Sequence, residues 1–283
     1  MEQESSGTGY TGSRIHDMTG QIVLITGIGC QEEGWGNGIA IAALFARQGA
    51  TIFGCDIFLN AAEVSQNRIL TELPNANVQV MQADATSSVD MQTFVNACMK
   101  KHQRIDILIN NVGMSEKGDP ASMSEDTWTR QIDVNLKSVY LTTHLVLPIM
   151  ERQTSGGNVV NISSVAGLRY VGKPQVAYST AKAAIIQFTK TTAVLYASKG
   201  IRLNTVVPGL IDTPLVQRLA DKYADGDYKG FREKRARQVP MNRMGTALEV
   251  AQCVLFLASK EASYVTGTEI VVDGAFTCST GEV

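Results

Sequence analysis

The sequence predicts an α/β fold: a single domain built on a doubly wound sheet of seven parallel strands, with helices on both faces. Three observations carry this. From Gln21 onward, short β-branched-rich apolar runs alternate with longer amphipathic runs. The short runs are apolar nearly throughout, as strands covered on both faces are. Strand–helix alternation implies parallel strands joined by right-handed crossovers. The chain has 283 residues, 44% of them apolar, which is enough for one large core. No internal repeat, low-complexity linker or compositional break divides it.

Each element follows in order. Residues 1–17, MEQESSGTGYTGSRIHD, are polar and rich in Gly, Ser and Thr. They bury too little to offset their ordering entropy and read as a flexible tail, and they lack the apolar centre of a secretory signal. The domain proper is 18–283. Strands are predicted at 22–25, 51–55, 78–81, 105–109, 158–162, 202–207 and 269–272. Helices are predicted near 37–48, 60–72, 87–102, 127–152, 176–198 and 246–259. Residues 210–245 form a less regular, polar insertion that carries Lys229, Arg232, Lys234, Arg235 and Arg237. It lies beyond a strand's carboxyl end, where it can cover a ligand. Its charges read either as a solvated helix face or as attraction for an anionic substrate or cofactor phosphate.

Composition excludes several classes. The net charge of −2 gives no basic excess for nucleic acid or an anionic membrane surface, and no run of 18 apolar residues spans a bilayer. Cys30, Cys55, Cys98, Cys253 and Cys278 show no zinc or redox spacing, so a reduced, cytoplasmic thiol set is expected. His16, His102 and His144 are far apart, and no metal site is expected.

The first strand runs into Thr26-Gly27 and a glycine-rich loop, then an Ala-rich helix. Glycines allow close backbone approach to a pyrophosphate, and the helix start offers free amides and a positive dipole end. Eighteen residues after Gly38, Asp56 ends the second strand. A carboxylate there accepts hydrogen bonds from the adenosine ribose and repels a 2′-phosphate, while Ile57 and Phe58 supply no cation for one. This favours NAD(H) over NADP(H). The alternative is that Asp56 is a plain strand-end turn residue.

Taken together and in order, these signatures resemble the short-chain dehydrogenase/reductase family over about residues 18–278. They are Thr26-Gly27 with Gly36-x-Gly38, Asp84, Asn110-Asn111-Val112-Gly113, Asn135, Ser164, Tyr178-x-x-x-Lys182, and Pro208-Gly209 with Thr213. The resemblance implies a Rossmann-type fold and a site assembled residue by residue. Gly27, Gly36, Gly38 and Ile39 would form the pyrophosphate turn, and Asp56 and Ile57 would meet the adenosine. Asp84 with Ala85 would meet the adenine, with Asn111 and Gly113 lining the adenosine side. Pro208, Gly209, Ile211 and Thr213 would hold the nicotinamide, with Thr213 on its carboxamide. Asn135 would anchor a water in a proton relay. One departure stands out. Eight residues, Ile28 to Trp35, separate the Thr-Gly and Gly-x-Gly pairs where the family has three. Gly36 and Gly38 keep the family's spacing to the helix, unlike Gly29 or Gly34. Glu32 and Glu33 are expected to point into solvent, away from a pyrophosphate.

Tyr178 and Lys182 lie four apart and so share a helix face. A free phenol, with a pKa near 10, is a poor base at neutrality. A neighbouring ammonium and a positive nicotinamide ring are expected to lower it, making Tyr178 a base in oxidation and an acid in reduction. Taken alone, the pair reads as an ordinary amphipathic one; the ordered company of Asn135, Asp84 and the glycine loop makes it a catalytic assignment. Ser164 rather than Ser163 is expected to hydrogen-bond the substrate oxygen, because only one of two neighbours faces the cleft. Lys182 would also grip the nicotinamide ribose. The catalytic set is thus Asn135, Ser164, Tyr178 and Lys182.

Met114, Ser115, Leu168, Tyr170, Leu210 and Ile211 are expected to line a mostly apolar pocket for a secondary alcohol or ketone. Arg169 reads as an exposed salt-bridge residue or a carboxylate partner. The resemblance also implies a homotetramer through helices 127–152 and 176–198 and the last strand. Two other functions remain open: a non-redox dehalogenase- or cyclase-like enzyme on the same fold, and a non-catalytic dinucleotide sensor.

Overall fold

The computed structural model of the chain describes residues 15–280. The expected tail falls outside this range up to residue 14. Its last part is docked rather than loose, because the His16 amide and ring Nδ1 lie 3.2 and 3.1 Å from the Glu261 carboxylate.

Seven strands form the main sheet: β1 (Ile22–Thr26), β2 (Thr51–Asp56), β3 (Val78–Gln82), β4 (Ile107–Asn110), β5 (Gly157–Ile162), β6 (Ile201–Pro208) and β9 (Glu269–Val272). Between β6 and β9 the chain adds a two-stranded ribbon of β7 (Ile211–Asp212) and β8 (Gly245–Thr246). The sheet order is β3-β2-β1-β4-β5-β6-β9, all parallel. This is the expected doubly wound Rossmann-type topology, which reverses direction between β1 and β4. The fourth strand starts at Ile107 rather than 105, because the Ile105 amide is taken by the Gln153 side chain at 2.9 Å.

Successive residues of each strand enter opposite layers, as the period of two requires. Val23 and Ile25 of β1 and Ile107 and Ile109 of β4 pack in one core layer, with residues of α1 (Asn37–Arg47), α2 (Leu59–Glu72) and α9 (Ala247–Ala258). Ile22, Leu24 and Leu108 face the other layer, with residues of α3 (Ser88–His102) and α5 (Ser138–Arg152). Each such side chain contributes about 1.5–3 kcal/mol by burial.

The helix expected over 127–152 is divided. α4 (Glu125–Ile132) leads into a π-helical turn, Asp133–Lys137, before α5. Wide turns of this kind re-aim a side chain within a helix, and here the turn contains Asn135. α6 (Val176–Tyr196) follows β5. The insertion holds α7 (Pro214–Tyr223) and α8 (Tyr228–Ala236). Although polar in sequence, it has a small core of its own, in which Leu210, Val216, Val239 and Met244 pack with Tyr228 and Phe231.

Among the described residues, no helix is long and apolar enough to cross a membrane, and no group of three His, Cys, Asp or Glu side chains is placed to hold a metal ion. All five cysteines are free thiols.

Candidate active site

The carboxyl ends of β1, β2, β3, β4, β5 and β6 open onto one cleft, the place where doubly wound sheets bind ligands. Its two halves share Asn111, Gly113 and Met114.

The first half, of about 420 Å³, is walled by Gly27, Gly29, Asp56, Ile57, Asp84 and Ala85. The turn after β1 is tight. A Cβ at Gly38 would collide with the Gly27 carbonyl, and the Asn111 side chain bonds that same carbonyl at 2.8 Å. Asn111 therefore clamps β4 to the β1 turn while lining the cleft. Asp56 is held by backbone amides on both oxygens, from Gly29 at 3.0 Å and Phe58 at 3.1 Å. Each oxygen keeps a lone pair for a further donor. Thr86 fixes Asp84 through its amide and hydroxyl, both at 2.8 Å.

The enlarged loop departs from expectation in which of its residues line the cleft. Gly29, along with Cys30, Gln31 and Glu32, lines the cleft, whereas Gly36, Gly38 and Ile39 do not. Gly36 is the N-cap of α1. Gly38 is buried under the Gly27 turn, and Ile39 has no exposed surface because it packs in the core. Glu32 lines the cleft with its side chain still 39% exposed, and Arg218 of α7 reaches across to pair with it at 3.2 Å. Glu33 is exposed, as expected. Arg68 of α2 ties the loop down by bonding the Gly34 carbonyl at 2.9 Å.

The second half, of about 220 Å³, brings together Ser164, Tyr178, Lys182, Pro208, Gly209, Ile211 and Thr213. Ser164 follows β5 and caps a short 3₁₀ turn, its hydroxyl accepting the Ala166 amide at 3.2 Å. Ser163 also borders this cavity, but its hydroxyl is committed, donating to the Lys182 carbonyl at 2.7 Å. Tyr178 sits in the first turn of α6. Lys182, one turn on, is 2% exposed. Its Nζ donates to the Ile162 carbonyl at 3.0 Å and lies 5.6 Å from the Tyr178 ring centroid. The position a Cβ would take at Gly113 is 3.1 Å from Lys182 Nζ and 3.2 Å from Asn135 Oδ1, so these groups converge there.

One electrostatic expectation needs correction. Burial pushes the Tyr178 phenol up, and the hydrogen bond with Ser164 only partly opposes this. Burial also holds the Lys182 amine down, to about 8. In the protein by itself, desolvation thus outweighs any lowering of the phenol by the ammonium. Asn135 is likewise committed. Its Nδ2 donates to the Met114 and Gln131 carbonyls, both at 2.8 Å, and its Oδ1 accepts the Met114 amide at 3.1 Å.

Met114, Ser115, Leu210 and Ile211 line the second half as expected, but Leu168 and Tyr170 do not. Tyr170 is 72% exposed. Their places are taken by Val165, Ala166 and Val171, and by Leu215, Val216 and Leu219 from the insertion. Arg169 makes no ion pair among the described residues and bonds the Thr277 and Ser279 carbonyls instead. Arg235, Lys173 and Asn37, which the sequence reading did not place here, also line this half.

A family model described as enoyl-(acyl carrier protein) reductase matches residues 33–277. The chain is 37% identical over 260 residues to the 3-oxoacyl-[acyl-carrier-protein] reductase FabG of Thermotoga maritima, covering 91% of this chain and 98% of that protein. It is 34% identical over 265 residues to the levodione reductase of Leifsonia aquatica, covering 93% and 97% respectively. A crystal structure of a short-chain dehydrogenase/reductase from Burkholderia xenovorans superposes with a TM-score of 0.88 at 40% identity, covering 93% of this chain and 98% of that one.

Proposed function

The chain belongs to the short-chain dehydrogenase/reductase family of nicotinamide-dependent oxidoreductases, and on that premise we propose that it interconverts a secondary alcohol and a ketone with NAD(H), using Tyr178 as the proton-transfer group. The observation that carries this reading is the convergence of Ser164, Tyr178 and Lys182 in a cavity continuous with a cleft that ends at Asp56.

The cleft suits a dinucleotide. The Gly27 turn has no side chain where a pyrophosphate would approach, and Gly29 presses its amide onto Asp56. Asp56 would accept the adenosine ribose hydroxyls and disfavour a 2′-phosphate, while Asp84, Ala85 and Ile57 flank the adenine side. Lys182 has donors left for the nicotinamide ribose. The Thr213 hydroxyl makes no capping bond at the start of α7 and is free to take the carboxamide.

When bound there, the nicotinamide supplies or accepts the hydride. The chain's own residues manage the oxygen and its proton. Burial keeps the Tyr178 phenol protonated, which suits it to donate a proton to a carbonyl oxygen during reduction. In oxidation it takes the proton back, once the positive nicotinamide ring opposes the effect of burial. Ser164 steadies the oxygen as charge develops on it. Asn135 acts as a positioning residue that holds the Met114 backbone against the substrate.

The test is a screen of alcohols and ketones with each nicotinamide cofactor, following absorbance of the reduced ring. Tyr178→Phe should lose at least about 10²-fold in kcat while still binding the cofactor; unchanged turnover would overturn the assignment. We further propose a homotetramer formed through α5, α6 and β9.

A further inference from the structure

The five basic residues that the sequence places in the insertion do not behave alike. Lys229, Lys234 and Arg237 are exposed, and Arg232 pairs with Asp212 at 2.6 Å. Arg235 alone turns inward and lines the cavity that holds Ser164 and Tyr178. Its Nε and Nη1 are buried and meet no acceptor among the described residues. One face of the guanidinium is covered by the Phe231 ring, 5.3 Å from centroid to guanidinium carbon.

Lys173 lines the same cavity from the loop before α6. Burial, then the charges of Arg235 and Lys117, hold its amine down to about 8. Lys117 itself sits over the Tyr223 ring at 3.6 Å. No carboxylate pairs with any of these three cations among the described residues.

Like charges drawn together in a partly buried place without a counter-ion are unfavourable, and buried donors are ordinarily satisfied. A protein holds such a group where a ligand completes it. We propose that Arg235 and Lys173 form an anion-binding subsite in the substrate cavity, and that the alcohol or ketone substrate carries a carboxylate which this subsite receives.

A guanidinium fork matches a carboxylate through paired N–H donors, and the nearby ammonium adds a second cation. The anion is the substrate's own rather than a cofactor phosphate. Both cations line the half of the cleft with Tyr178, and neither lines the half with Asp56. The volume of about 220 Å³ suits a short oxo acid or hydroxy acid. Val165, Ala166, Leu215 and Leu219 would enclose its carbon chain.

This inference rests on the oxidoreductase reading only for the reacting end of the substrate, so its test is read from binding. Short straight-chain 2-oxo and 3-oxo acids and their methyl esters are titrated calorimetrically into the full chain, with and without NADH. At least one acid should bind about tenfold or more tightly than its ester, as a charge-assisted pair implies. Arg235→Gln should bring that ratio close to one, and Arg235→Lys should retain part of it. The ratio is taken within each variant, which cancels general damage. Should Arg235→Gln fail to fold, as judged by NADH binding, Lys173→Gln is held to the same criterion of a reduced ratio. Acids that bind no better than their esters, or a preference that survives the substitution at full size, would overturn the proposal. A chain that shows the preference while Tyr178→Phe turns over normally would keep the subsite and lose the mechanism.

Discussion

At the scale of single residues, Lys182 is a side chain that works against the fold. It is almost wholly buried, and Nζ has a backbone carbonyl as its only partner among the described residues. Burial holds its folded-state pKa down to about 8, against an unfolded value near 10.4. Below pH 8 both states are protonated, and the fold carries the full cost of a buried ammonium. Between about 8 and 10.4 the unfolded chain binds the extra proton, so stability rises with pH. The whole gain is about 3 kcal/mol. Lys182→Met, which removes the charge at similar length, should therefore be more stable than wild type at pH 7. Its advantage should shrink as the pH is raised from 8 to 10. Denaturant unfolding at fixed pH steps measures this, and an advantage that does not vary with pH would show that the ammonium is not the destabilising group. The pairing of Tyr178 with Lys182 was legible in the sequence, since a spacing of four fixes a shared helix face and the ordered neighbours singled the pair out. The direction in which burial moves both groups was not legible. It depends on β5 and on the loop from Pro208, which reach the pair only through the tertiary fold. Arg235 was one cation among five in sequence for the same reason, because α8 alone decides which of them turns inward.

At the scale of elements, the segment from Ile28 to Trp35 shows where sequence reading stopped. Its extra length was plain against the family pattern, but its path was not, because its anchors come from distant elements. The Cys30 amide bonds Ser65 at 2.9 Å, Arg68 takes the Gly34 carbonyl, and Arg218 takes Glu32. The result is that Gly29, rather than the glycines that begin α1, lines the cleft. A Cβ at Gly29 would lie 2.7 Å from Asp56 Cγ and 2.8 Å from the Ala61 Cβ. The first contact moves the carboxylate, and the second cannot yield without shifting α2. Gly29→Ala should therefore weaken NADH binding by about tenfold, through the lost amide bond and the displaced Asp56. It should leave helix content unchanged. Fluorescence titration with NADH reads the affinity, and an unaltered dissociation constant would mean that Asp56 does not hold the adenosine. The π-helical turn was similarly hidden. The sequence over 127–152 has one continuous amphipathic pattern, and the break reflects the three bonds by which Asn135 grips Met114 and Gln131.

At the scale of the whole molecule, the doubly wound class and its layering were readable because seven apolar runs leave few ways to cover both faces of a sheet, whereas the strand order is set by the pairing itself. What a single chain leaves uncovered bears on assembly. β9 ends the sheet order, so one of its edges has no strand partner among the described residues. On α6, Val194 is 79% exposed and Leu195 63%, and Tyr140 of α5 is also exposed. Exposed edges and apolar helix faces of this kind are ordinarily covered. A four-copy assembly would cover them, with burial of each large apolar side chain contributing about 1.5–3 kcal/mol at every repeat of the contact. Light scattering should give four times the chain mass of 30.5 kDa. Val194→Asp should lower that mass, because an unpaired carboxylate in an apolar contact costs more than the valine contributed. The variant's far-ultraviolet dichroism should be unchanged, since position 194 touches no core layer of its own chain. A wild-type mass of one chain, or a tetramer indifferent to Val194→Asp, would place these surfaces outside any assembly and leave the exposed face of α6 without a partner copy.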